Sequence, residues 1–199
     1  VVQGLLGGQD AENRVLSLQT GFGGGKTHTL IALYHLAALG SKIEGLEGTK
    51  DIAAKIGTAA FGDASFGSAH VAVFTNSTND PVQGRFIDAG TTLRTMWGEL
   101  AWQLGGKEAY EIIRPNDEER TAPKGLFRKV LESCAPCLIL VDELADYCIA
   151  ASGVSVGASS LADQTTSFVQ ELTEAVAGLG RCVLVATLPA SVAEVASSA

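Results

Sequence analysis

The residues with the densest chemical content lie between Thr20 and Thr27, where the chain reads TGFGGGKT. Glycine at Gly21, Gly23, Gly24 and Gly25 lets a backbone curl through unusual φ values and bring N–H groups against phosphate oxygens with no Cβ in between. Lys26 adds a point charge suited to β- and γ-phosphates, and Thr27 a hydroxyl suited to Mg²⁺. The pattern G-x-x-x-x-G-K-S/T aligns on Gly25, Lys26 and Thr27, with Thr20 at its first glycine position, where a β-branched residue resists φ > 0. The candidate nucleotide-binding residues are therefore Gly21, Phe22, Gly23, Gly24, Gly25, Lys26, Thr27 and His28. His28 enters as part of the loop-to-helix run, and no imidazole chemistry is assigned to it.

Phosphoryl transfer also needs a metal partner and a group that activates a nucleophile, and LILVDE at residues 138–143 offers both. Asp142 suits Mg²⁺, directly or through water, and Glu143 suits the role of general base toward an attacking water. Adjacent carboxylates at a strand end point in different directions and can take separate tasks. Thr187 closes the run CVLVAT, where its hydroxyl can sense a γ-phosphate or a water. The candidate catalytic set is Glu143, Lys26 and Thr187, and the candidate metal set is Thr27 and Asp142.

Other chemically active residues point to structural roles. Cys134 and Cys137 form C-A-P-C with no second pair or nearby histidine to complete a zinc site, so they read as structural thiols. His28 and His35 share a helix without a chemical assignment. Trp97 and Trp102 fit a core or an interface better than a base-stacking platform. Arg114, Arg120 and Arg128 stand among acids as a solvated face. Arg181 is a candidate contact to a neighbour's nucleotide.

These residues must be placed by strands and helices. Apolar runs at residues 15–18, 71–76, 137–144 and 182–191 predict four strands, the third a core strand. THTLIALYHLAALG predicts a helix that is apolar on nearly every face, buried against a sheet and closed at Gly40 by a left-handed cap. Helices are predicted at 91–104, ending at Gly105 and Gly106, at 125–132, and at 161–177. Residues 41–69, with weak helical periodicity around Ile52 to Ile56, are expected at the surface, and residues 150–160 as a mobile loop. Strands alternating with helices give an α/β fold with a mainly parallel sheet.

The 199 residues suffice for one domain spanning 1–199, and 46% apolar against 18% charged residues excludes a disordered chain. A net charge of -8 repels phosphate backbones, so nucleic acid is not the default partner. No stretch approaches the roughly 18 apolar residues of a membrane span. The opening VVQGLLGGQDAEN reads as the start of a fragment without a secretion signal, and four cysteines fit a reducing, cytoplasmic setting.

With phosphate loop, acidic strand end and polar-tipped strand in this order, the chain resembles the core of an AAA+-type P-loop ATPase. LQTGFGGGKTHTLIALYHLA, LRTMWGELAWQLGG and LILVDELADY are together similar to a family of large prokaryotic predicted ATPases, a domain-of-unknown-function family found beside antiphage and restriction genes. That family shares the threonine at the first glycine position. The resemblance implies a three-layer P-loop NTPase fold of the AAA+/ASCE type, truncated before its last core strand, lid and arginine finger. It further implies ATP and Mg²⁺ as ligands, a cytoplasmic homo-oligomer or larger complex, and nucleic-acid contacts only through other regions. Two rival readings stay open: a nucleotide-gated interaction module without turnover, and a subunit of a DNA-acting motor.

Overall fold

The computed structural model describes residues 1–7, 13–20, 24–40, 48 and 68–189. Gly21, Phe22 and Gly23, and nearly all of the expected surface segment 41–69, lie outside the described residues. The four predicted strands are present as β1 (Val15–Thr20), β2 (His70–Thr75), β5 (Cys137–Asp142) and β8 (Cys182–Pro189), paired in parallel in the order β1-β8-β5-β2. Every residue of β5 is buried, which is why CLILVD carries no alternation: a central parallel strand is covered on both faces.

Helices cover both faces of this sheet, making a three-layer α/β domain. On one face lie α1 (Val2–Leu6) and α2 (Lys26–Leu39). On the other lie α3 (Met96–Glu111), α5 (Phe127–Ser133), α6 (Leu144–Ala151) and α7 (Leu161–Ala177). The short α4 (Arg114–Glu118) follows α3, and among the described residues no helix is long and apolar enough to cross a membrane.

The helix at 161–177 forms as its pattern predicts. Leu161, Thr165, Phe168, Leu172 and Val176 make one buried stripe at helical spacing, and Ser160 with Asp163 forms a reciprocal capping box. Phe168 packs between Trp97 and Phe127, with ring centroids 5.4 and 4.9 Å away. Trp97 is thus core, and Trp102 packs edge-on against Tyr110 at 5.8 Å. The α3 helix starts later than predicted, at Met96, behind the cap Thr95, whose hydroxyl accepts from the Gly98 N–H at 3.1 Å. Residues 91–93 instead form β4 (Thr91–Leu93), pairing antiparallel with β3 (Arg85–Asp88). The helical path does break at the predicted glycines, where Gly106 has φ 61° and ψ -148°, before one further turn to Glu111.

Three further expectations are corrected. Residues 150–160 are not a loose loop: β6 (Ser155–Val156) and β7 (Ser159–Ser160) pair as a small hairpin whose turn uses Gly157 at φ 58°. Gly40 ends α2 at φ 55° and ψ -133°, a glycine conformation but not the left-handed cap. The α2 helix buries only Leu30 and Ala37, and Ile31 and Tyr34 are exposed by 51% and 40%, because no described residue covers the face turned from the sheet.

Candidate functional site at the carboxyl ends of the strands

Strand alternation fixes which side chains meet at the site. Along β5, Leu138 and Leu140 pack toward α2, and the next residue on that face is Asp142. Along β8, Val183 and Val185 do the same and Thr187 follows; along β2, Val71 and Val73 lead to Thr75. Three apolar rows thus end in three polar tips beneath the first turn of α2. Carboxyl ends of parallel strands are where open α/β sheets bind ligands.

The helix entering this corner starts without a side-chain cap. Gly25 stands at its N-cap with φ 77°, and its first turn contains no acidic residue. A Cβ at Gly25 would meet nothing within 4 Å, so backbone conformation rather than crowding selects glycine there. The N–H groups of the first turn and the positive end of the helix dipole therefore face the corner. Lys26 is the first helical residue, and His28 is exposed on the same turn.

Asp142 is the centre of the site. Only 9% exposed, it accepts a hydrogen bond from Thr27 Oγ1 on one carboxylate oxygen at 2.8 Å and from Thr187 Oγ1 on the other at 2.5 Å. Residues 27, 142 and 187 are thereby brought together across up to 160 positions of sequence. Glu143 stands just beyond, exposed, with φ 55° and ψ 34°. A glutamate rarely adopts that left-handed conformation. Glu143 accepts a long contact of 3.4 Å from Thr75 Oγ1, which also lies 3.2 Å from Ser77 Oγ.

Thr75 is the residue the sequence reading missed. It closes VAVFT just as Thr187 closes CVLVAT, so a hydroxyl at the end of an apolar run was the available signal. Between α2 and strands β2 and β5 opens a cavity of about 370 Å³ with Thr27, Thr75, Ser77 and Asp142 at its polar end and Leu30 and Ile31 on its wall.

The donor set suits a hard cation. Among the described residues no group of three or more His, Cys, Asp or Glu side chains could hold a metal alone. A hydroxyl and a carboxylate 2.8 Å apart match the partial set with which Mg²⁺ is bound when phosphate oxygens and waters complete its shell. Cys134 and Cys137 are free thiols buried in the core, and the neighbouring Cys182 thiol and burial push the Cys137 thiol far above its usual range. Arg114 and Arg128 pair with surface glutamates within their own segments, as a solvated face does, whereas Arg120 departs from that expectation: it is half-buried at φ 54° and its guanidinium donates to the Val82 carbonyl at 3.0 Å. Arg181 precedes β8 at the opposite end of the sheet, where its Nε donates to the Leu5 carbonyl at 3.3 Å.

The layers and this polar corner define a three-layer α/β domain with its candidate site on the carboxyl edge of a parallel sheet. The chain belongs to the DUF499 family, a domain of unknown function: the model of the DUF499 N-terminal domain matches residues 1–197. No curated protein matches the chain.

Proposed function

We propose that this chain binds ATP with Mg²⁺ and is the core of an ATP-hydrolysing protein. The observation that carries the reading is Asp142, a nearly buried carboxylate held between a hydroxyl from the helix after GGGKT and a hydroxyl from β8. The position of β8 between the loop-bearing strand and the acidic strand adds to it, since it puts Thr187 against both.

In this reading the α2 N-terminus and Lys26 hold the phosphates, and Thr27 and Asp142 hold Mg²⁺. The metal would neutralise charge developing on the phosphate oxygens. Glu143, oriented by its backbone and by Thr75, takes the proton of the attacking water. Thr187 keeps Asp142 in place. The antiphage setting, the oligomeric assembly and the cytoplasmic location implied by the resemblance are the biological context we propose.

Calorimetric titration with ATP and Mg²⁺ tests the reading. Wild type is expected to bind and Lys26→Ala to bind at least about tenfold more weakly, a loss of about 1.4 kcal/mol. In the full-length protein, Glu143→Gln is expected to retain ATP and lose turnover by about a hundredfold or more. Normal turnover in that variant would remove Glu143 from the role of base. Binding without any wild-type turnover would favour a nucleotide-gated interaction module.

A further inference from the structure

At Val73 the outer edge of β2 is capped by one side chain. Val73 turns its N–H and C=O away from β5, and the Gln103 amide on α3 takes both: Oε1 accepts from the Val73 N–H at 2.8 Å and Nε2 donates to the Val73 carbonyl at 2.8 Å. One amide thereby reproduces the two bonds that a neighbouring strand would make. Its orientation is itself held, because Nε2 also donates to Glu99 Oε1 at 2.5 Å. Glu99, 4% exposed, is gripped through both oxygens by Arg85 of β3, at 2.8 and 3.0 Å. Two residues beyond Val73 stands Thr75, the hydroxyl that contacts Glu143.

We propose that Gln103 is a positioning residue for Glu143, acting through β2 and Thr75. The inference rests on the ATPase reading above. Among the described residues β2 has one neighbour in the sheet, β5, so its tip is fixed from one side by the ladder and from the other by this amide. A half-buried ion pair adds little net stability, and here its Glu99 carboxylate accepts from the same Gln103 amide that bonds Val73. The Arg85–Glu99–Gln103 chain thus sets the height of Thr75 against Glu143, and none of its members touches the phosphate corner.

Steady-state turnover of ATP by the full-length protein tests this, with Gln103→Leu, Thr75→Val and the double variant, each checked for an unchanged fold by circular dichroism. Gln103→Leu and Thr75→Val are each expected to lower kcat about tenfold with KM for ATP within about twofold of wild type. The double variant is expected to be no slower than the slower single one, the non-additivity of two residues on one path. Should Gln103→Leu not fold, Arg85→Gln, which cuts only the outermost link, is expected to lower kcat two- to threefold, roughly, at unchanged KM. An unaltered kcat in a folded Gln103→Leu, or effects that multiply in the double variant, would overturn the proposal while leaving the ATPase reading intact. ATP bound by the wild type without turnover would overturn both.

Discussion

The two faces of the sheet are unequal. On the face of α3, α5, α6 and α7, 27 buried residues form one continuous cluster; on the face of α1 and α2, the described residues supply eight. The thick face contains the stacked aromatics Trp97, Phe127 and Phe168 and the pair Phe74 and Tyr147, whereas the thin face is Leu, Val and Ala. Every polar tip of the candidate site belongs to the thin face. Among the described residues, the larger core and the polar tips therefore lie on opposite sides of the same four strands, and α2 buries only Leu30 and Ala37.

This division can be broken by substitution. Phe168→Ala removes the aromatic that joins α3, α5 and α7 and is expected to cost about 3–5 kcal/mol, read as a fall in the denaturant midpoint, with the ATP dissociation constant of the folded fraction unmoved. Leu30→Ala empties one of the few buried positions under α2 and is expected to cost less, about 2–3 kcal/mol, yet to weaken ATP binding as well. Leu30 lies one turn beyond Thr27, so a looser α2 disturbs the corner directly. Loss of stability from both with no effect of either on ATP affinity would erase the distinction.

A smaller effect sharpens the comparison through pH. Asp117 on α4 is fully buried on the thick face, where its carboxylate accepts from the Arg94 N–H, Thr95 Oγ1 and Tyr110 Oη. Burial outweighs those bonds and raises its pKa. A raised folded-state value means that the stabilisation is complete below the ordinary carboxylate range and is lost as pH rises through the folded-state value. Asp117→Asn is expected to abolish that component, so its stability relative to wild type rises as pH climbs above the ordinary carboxylate range in urea titrations. A pH-independent difference would show that Asp117 titrates as it does unfolded.

The parts legible in the sequence were those that repeat or run long. Four apolar runs became four strands, and the 161–177 pattern became α7 because its apolar spacing and its cap agree. The two hairpins escaped because strands of two to four residues contain too little alternation to register a period, so TTL reads as a helix start and residues 150–160 as a loop. Asp117 escaped for another reason: in the charged run 114–120 nothing local distinguishes it from Glu118 or Glu119, and its burial follows from contacts with Thr95 and Tyr110. Of the site, Lys26, Thr27, Asp142, Glu143 and Thr187 were named from motif and strand-end position, while Thr75 needed the parallel pairing of β2 with β5, which sets it opposite Asp142.

The capped edge of β2 also bears on how this domain can meet other proteins. A sheet edge with bare N–H and C=O groups invites a foreign strand to extend it, the usual start of both peptide capture and aggregation. Here Gln103 occupies Val73, and the Asn79 amide donates to the Thr75 carbonyl at 2.8 Å. A strand arriving beside Thr75 and Glu143 would have to displace both amides before it could pair with Val73 or the Thr75 carbonyl.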